Sequence, residues 1–492
     1  MKKIKTPHGL DIFFAIALLF KFFNAGFSYF CVLDDYIQYG CYPIYNTLSE
    51  VFFDIGTLSN RPLAGLFDPV VWGAFYENMA ISLLIITILY FFSAKLFDES
   101  LKKCGIKITP FLYAVYLLLP MTFEGTYWIS ASSRIIVSLF FTALAVLCLI
   151  KFIENKKALP LIVYIISSVA SFGFYESCAV FSGLVQGLVI LGFTIPQKKW
   201  NRLFLLIVPA FSSACLLAYY KIGAILVGGS RVSQFSVYGM PGRIKEFVNQ
   251  FAYIFTAGLY RTNFDTFIDG AKVMLEKGFL GLILAILIIA ISGLCAYFSK
   301  EKCESLKARY CVPVGILMIF FPLIPNLLVP DVWLTYRTMV VCLLGFMVAF
   351  APLICYVFKN VHIRKAAVFI AVLVYLTASV SEVNTYKTVH DTDMKITNEI
   401  ASVVDENVQC GNYPAVIVLP HDIITPQPSY YKDHVKSVYY ADWAATGAIR
   451  ATMKNNLVTI IPCLSPDEVD LEQMQIIYLD ENYKVSEVSY EK

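Results

Sequence analysis

The sequence predicts a polytopic α-helical membrane protein of about 11 transmembrane helices with a small C-terminal extracytoplasmic α/β domain. Three observations predict it. The 492 residues are 58% hydrophobic and only 15% charged, with a mean hydropathy of +0.66, more apolar surface than a water-soluble core of this length hides. Apolar runs long enough to cross about 30 Å of hydrocarbon, which takes roughly 20 residues, recur through the first three quarters of the chain. After Ser381 the composition turns polar, with charges and prolines spread to the C-terminus.

The candidate spans lie near 10–32, 78–97, 110–127, 134–152, 158–174, 177–195, 203–221, 279–298, 311–329, 338–358 and 366–382. The first reads as a retained anchor, because no small-residue cleavage site precedes the acidic pair that follows it. Basic residues then mark alternate connections: Lys2, Lys3 and Lys5; Lys102, Lys103 and Lys107; Lys151, Lys156 and Lys157; Lys198, Lys199 and Arg202; Lys300, Lys302, Lys307 and Arg309; Lys359, Arg364 and Lys365. Cytoplasmic loops carry such an excess, so the N-terminus is expected inside and the C-terminus outside. The net charge of +3 points to no nucleic-acid partner.

The membrane part is expected to occupy 1–382, with outer loops at 33–77 and 222–278, and a soluble unit 383–492. In the first loop, Ile44, Leu48, Val51, Phe52 and Ile55 recur at helical spacing, as do Ile244, Phe247, Val248 and Phe251 in the second. Both patterns suit a helix lying in the interface or packed on the bundle. The C-terminal unit reads as helix (MKITNEIASVVDEN), strand (AVIVLP), helix (WAATGAIRATMKN) and strands (LVTIIP, MQIIYLD). No nucleophile elbow or glycine-rich phosphate loop occurs in it. The 13 cysteines fall mostly in apolar runs, as small buried hydrophobes; Cys31 with Cys41, and Cys410 with Cys463, share the expected outer side and are the two pairs open to bridging.

The ionisable residues at span ends converge on that outer side. FCVLDDYIQYG carries Asp34 and Asp35, SNRPLAGLF carries Arg61, and TFEGTYWISASSR carries Glu124, Trp128 and Arg134. GFYES carries Tyr175 and Glu176, and VPDVWLTYR carries Arg337. Charge near hydrocarbon costs roughly 2.5 to 3.5 kcal/mol even on lenient insertion scales, so such residues are functional candidates. A carboxylate acts as a general base on a hydroxyl, and guanidinium groups hold phosphate through forked hydrogen bonds. A sugar on a lipid phosphate needs both at this depth. Asp34, Asp35, Glu124 and Glu176 are therefore the expected catalytic acids, and Arg61, Arg134, Arg337, Tyr175 and Trp128 the expected substrate-binding set. No cofactor is required, although Asp34 and Asp35 together suit a Mg or Mn ion.

A first transmembrane helix followed at once by an Asp-Asp pair, with many further spans and a soluble C-terminal outer domain, resembles the GT-C superfamily of polyprenyl-phosphate-sugar-dependent membrane glycosyltransferases. Within it, DDYIQYG followed by NRPLAGLF resembles the glucosyltransferases that modify O-antigen and related surface polymers, with Asn60 here standing where a Gly-Arg step is usual. The resemblance implies a bacterial cytoplasmic (inner) membrane location and a polyprenyl-phosphate sugar donor. It also implies a cell-surface glycan acceptor and a catalytic or acceptor-binding role for Asp34 and Asp35. The expected reaction is inverting transfer of a hexose, glucose foremost. Two other classes stay open: a flippase or carrier, which places coupling residues near the bilayer midplane, and a surface-glycan polymerase or ligase, which takes an oligosaccharide diphosphate.

Overall fold

The computed structural model describes residues 9–45, 47, 49–54, 61–227, 239–300, 306–330, 332–420, 435–469 and 473–491. Among them, eight helices are long and apolar enough to cross a membrane: Ala80–Lys103, Ile129–Asn155, Glu176–Thr194, Trp200–Ile222, Phe279–Phe298, Ala308–Leu328, Tyr336–Val357 and Val361–Ala401. A chain built this way is a multi-pass membrane protein.

Three of the eleven expected spans form shorter helices, and each break has a local cause. The Gly9–Phe23 helix stops before Asn24, whose side chain donates to the carbonyls of Lys21 and Ser379, and before Gly26 at φ +102°. Its 15 residues reach about 22 Å at 1.5 Å per residue. The run 110–127 is cut after Leu118 because Pro120 lacks an amide proton and pushes Leu119 out of helical geometry, to ψ 124°. A short helix, Phe123–Tyr127, follows. The Ala158–Phe172 helix ends where Gly173 meets the segment after Arg61: Leu63 donates its amide to the Gly173 carbonyl at 3.0 Å. All three interruptions deliver chain to one end of the bundle.

Small residues let the long helices approach closely. Between the Ala308–Phe320 and Tyr336–Val357 helices, a Cβ on Gly315 would lie 2.6 Å from the Gly345 carbonyl oxygen. In the first outer loop the amphipathic pattern yields only the short turns Tyr42–Ile44 and Glu50–Asp54; residues 46, 48 and 55–60 lie outside the described set. In the second, the helix Met240–Tyr253 forms. It buries Phe247 and packs the Phe251 ring, tilted, against Phe255 and Phe320, while Ile244 and Val248 stay exposed.

The helix Val361–Ala401 runs 41 residues without a break, about 60 Å and twice the hydrocarbon thickness, so it passes straight through the boundary expected near 383. Beyond it, β1 (Ala415–Val418), β2 (Ile460–Cys463), β3 (Met474–Leu479) and β4 (Val485–Glu491) form one sheet in the order β2-β1-β3-β4. β1 pairs in parallel with β2 and β3, and β4 closes antiparallel on β3. β1 is the continuous apolar run AVIV, as a central parallel strand requires. The Asp442–Met453 helix connects β1 to β2 and buries Ala444, Ala445, Gly447, Ala448 and Ala451.

Candidate active site

The acid pair is positioned by a backbone that leaves helical geometry. Leu33 adopts φ +45°, a conformation that costs a branched side chain about 1 kcal/mol or more. The amides of Asp35 and Tyr36 then bond back to Val32 and Leu33 at 3.1 and 3.2 Å. Asp35 locks this turn. Its Oδ2 accepts from the Tyr29 hydroxyl at 2.5 Å and the Val32 amide at 3.1 Å. Its Oδ1 accepts from the amide and hydroxyl of Ser130 at 3.1 and 2.6 Å. Ser130 is the second residue of the Ile129–Asn155 helix, so the carboxyl lies at that helix's positive end. Asp35 is fully buried, and burial pushes its carboxyl up to about 7 against the four hydrogen bonds that favour its ionised form.

Asp34 differs from its neighbour in every respect. It is half-buried, and among the described residues no donor or cation bonds its carboxylate. Both signals in DDYIQYG are thus used differently: one carboxylate is saturated, the other is presented.

Around Asp34 the arginines meet carboxylates from other loops. Arg61 bonds Glu176 through Nε, at 3.1 Å to each oxygen, with Nη2 at 3.0 Å, and its guanidinium lies over the Tyr175 ring at 4.7 Å. Arg134 Nη2 bonds Asp68 at 2.9 Å. Asp68 ties the cluster together: burial raises its carboxyl, Arg134 and then Arg61 pull it back, and Asp34 adds repulsion. Two buried polar atoms here, Arg134 Nε and Asp68 Oδ1, have no partner among the described residues. A buried guanidinium N–H without an acceptor costs about 1 to 3 kcal/mol unless a ligand or water meets it.

The remaining candidates spread further. Trp128 is buried and donates Nε1 to the Val32 carbonyl at 3.3 Å. Arg337 lies between Trp128 and Trp333, at 5.6 and 5.7 Å from the ring centres, and its backbone packs so tightly on Gly125 that a Cβ there would come within 2.9 Å. Glu124 is buried beside the aromatic group of Phe123, Tyr127 and Tyr386, and its charge reaches Tyr386. The structure therefore brings Asp34, Arg61, Arg134, Tyr175 and Glu176 into one charged cluster. Asp35 and Trp128 sit beneath it as supports, and Glu124 and Arg337 stand on the Trp128 side.

Asp68 is a member of the cluster that the sequence alone does not single out. Its signal was present, a lone acid in the apolar stretch PLAGLFDPVVW between Arg61 and Glu77, but its partner Arg134 is 66 positions away. An apolar groove of about 340 Å³ opens beside the cluster, with Glu176 at its polar end and Phe172, Leu216, Tyr220, Phe321 and Leu328 along it. Since both oxygens of Asp35 are engaged, a divalent ion at Asp34 would draw its other ligands from substrate or water; no group of three His, Cys, Asp or Glu gathers among the described residues.

The two cysteine pairs do not bridge: Cys31, Cys41, Cys410 and Cys463 are free thiols. Cys41 instead donates to the Gly447 carbonyl at 3.1 Å, and Cys463 to Ile417 at 3.7 Å. Burial in packed backbone contacts is what spacing alone does not reveal.

Compared with known protein families and with curated proteins, the chain matches none. Among solved structures it is similar to the crystal structure of ArnT from Cupriavidus metallidurans in the apo state, with a TM-score of 0.40 and 12% identity over 96% of this chain and 93% of that one. A superposition this loose transfers no residue roles.

Proposed function

We propose that the protein is a GT-C-type membrane glycosyltransferase. It moves a hexose, glucose foremost, from a polyprenyl-phosphate carrier to a hydroxyl of a cell-surface glycan at the outer face of a bacterial cytoplasmic membrane, with inversion. The observation that carries this reading is the contrast within the acid pair: Asp35 accepts four hydrogen bonds, whereas Asp34 is presented beside Arg134, whose buried Nε meets no acceptor among the described residues.

Asp34 takes the proton from the acceptor hydroxyl as its oxygen attacks the anomeric carbon. The bond from that carbon to the phosphate oxygen breaks, and the electron pair leaves with the lipid phosphate. Arg134 and Arg61 stabilise the departing charge, and the lipid chain runs along the groove that ends at Glu176. Asp35 acts by positioning, holding the turn against the Ile129–Asn155 helix. The cluster sits at helix ends, near the starts of the Ile129–Asn155 and Glu176–Thr194 helices, which suits transfer at one face better than carriage through the midplane.

The test is turnover of radiolabelled polyprenyl-phosphate hexoses by the purified full-length protein, with and without a panel of cell-wall glycans. Asp34→Asn is expected to lower transfer by about 10² to 10⁴, the range for loss of a general base. Undiminished transfer by Asp34→Asn removes the mechanism.

A further inference from the structure

The Asp442–Met453 helix lies directly on Tyr36–Cys41, the helical turn that follows the acid pair. Glycines permit the contact: a Cβ on Gly447 would lie 2.4 Å from Ile37 Cγ1, and one on Gly40 would lie 2.6 Å from Ala451 Cβ. Beside this seam is a cavity of about 450 Å³, separate from the groove at Glu176. Its size falls within the roughly 300 to 1,000 Å³ of small-molecule sites.

The lining has a definite chemistry. Tyr42, Tyr45 and Trp443 supply aromatic surface, and Trp443 remains 50% exposed. Arg450 is held through Nε by the Val458 carbonyl at 2.6 Å; among the described residues its terminal nitrogens meet no acceptor, and the Asp442 carboxylate meets no donor. Eight positions apart on one helix, Asp442 and Arg450 are separated by about 12 Å of backbone rise, and no ion pair joins them among the described residues. A single cation opposite a single anion favours neither a phosphate nor a metal. It suits a ring with hydroxyls that donate to the carboxylate and accept from the guanidinium, while the ring's C–H face lies on an aromatic side chain.

Tyr42 joins this cavity to the charged cluster, for it lines the one and feels the charges of Asp68, Arg134 and Asp34 in the other. We propose that the cavity walled by Tyr42, Tyr45 and Trp443, with Asp442 and Arg450 at its edges, binds an uncharged pyranose residue of the acceptor glycan. Its identity as acceptor rests on the transferase reading; its affinity for a saccharide does not.

The experiment is saturation-transfer NMR on the full-length protein in lipid nanodiscs. The probes are trisaccharides of glucose, galactose, mannose, rhamnose and N-acetylglucosamine at millimolar concentration. Transfer to at least one probe is expected. Trp443→Ala should weaken it about tenfold, Arg450→Gln should also weaken it, and Trp443→Phe should largely restore it. No transfer to any probe, or transfer unchanged in Trp443→Ala, overturns the proposal. Release of labelled sugar from the donor to water is measured in parallel. Donor turnover without saccharide binding sinks the cavity alone, whereas saccharide binding without donor turnover sinks the transferase reading and leaves a glycan-binding site.

Discussion

Adjacent aspartates in one turn carry opposite liabilities. Asp35→Asn places an amide N–H₂ against donors that need an acceptor, so it is expected to cost about 1 to 3 kcal/mol of stability, read as a lower melting temperature in detergent. Asp34→Asn, with no bonds to lose among the described residues, should melt like the parent. The Asp35 carboxyl is raised to about 7 in the folded chain, against about 3.9 unfolded. The folded state thus holds the proton more tightly, and the stabilisation is complete below about pH 4, declines as pH rises, and is gone above about pH 7. The melting gap between the parent and Asp35→Asn should therefore narrow from pH 4 to 7, by at most about 1.4 kcal/mol per pH unit; a widening gap contradicts the assigned titration. Arg61 is the second residue to test. Its Nη1 bonds nothing among the described residues while Nε holds Glu176, so a fork remains for phosphate. Arg61→Lys should keep part of the donor affinity and Arg61→Gln little; unchanged affinity in well-folded Arg61→Gln removes Arg61 from the site.

Among the elements, the broken helices matter more than the whole ones. The run 110–127 has the apolar length of a span, yet Pro120 stops it and frees Phe123–Tyr127 to support Trp128 and the start of the Ile129–Asn155 helix. Composition counted that run as a span because hydropathy averages over a window, while a single proline acts on one hydrogen bond. The Asp442–Met453 helix shows the same dependence on one position. Gly447→Ala should crowd Ile37 and cost about 1 to 3 kcal/mol, and Ile37→Ala in the same chain should recover most of that loss. A double variant no better than Gly447→Ala means the crowding lies elsewhere.

At the scale of the molecule, the Val361–Ala401 helix links the bundle, the acid pair and the sheet. Its upper half holds His390, whose Nδ1 meets the Tyr36 hydroxyl at 3.0 Å and the Cys31 carbonyl at 3.1 Å. Three residues on, Asp393 accepts from the Ser437 hydroxyl at 2.6 Å and the Val438 amide at 3.0 Å. The C-terminal unit and the acid-pair turn are therefore referenced to one rigid rod. If the charged cluster faces outward, a membrane-impermeant thiol reagent should label cysteines introduced at Ser49 and Lys454 and spare those at Lys103 and Lys199. External labelling at Lys103 overturns the orientation and the site proposal with it.

The membrane class, the positions of the long helices, three of the four strands among the described residues and the candidacy of Asp34, Asp35, Arg61 and Arg134 can all be read along the chain. Those signals are local: hydropathy over twenty residues, strand composition, a charge where a charge is costly. Packing settles the rest: which aspartate is saturated and which is presented, that Arg134 pairs with Asp68 and Arg61 with Glu176, and that the Asp442–Met453 helix covers the turn after the acid pair. Each of these depends on a partner between 66 and more than 400 positions away, and a hydrogen bond or close approach across such a separation leaves no mark on either stretch of sequence until the packing of the helices brings the two together.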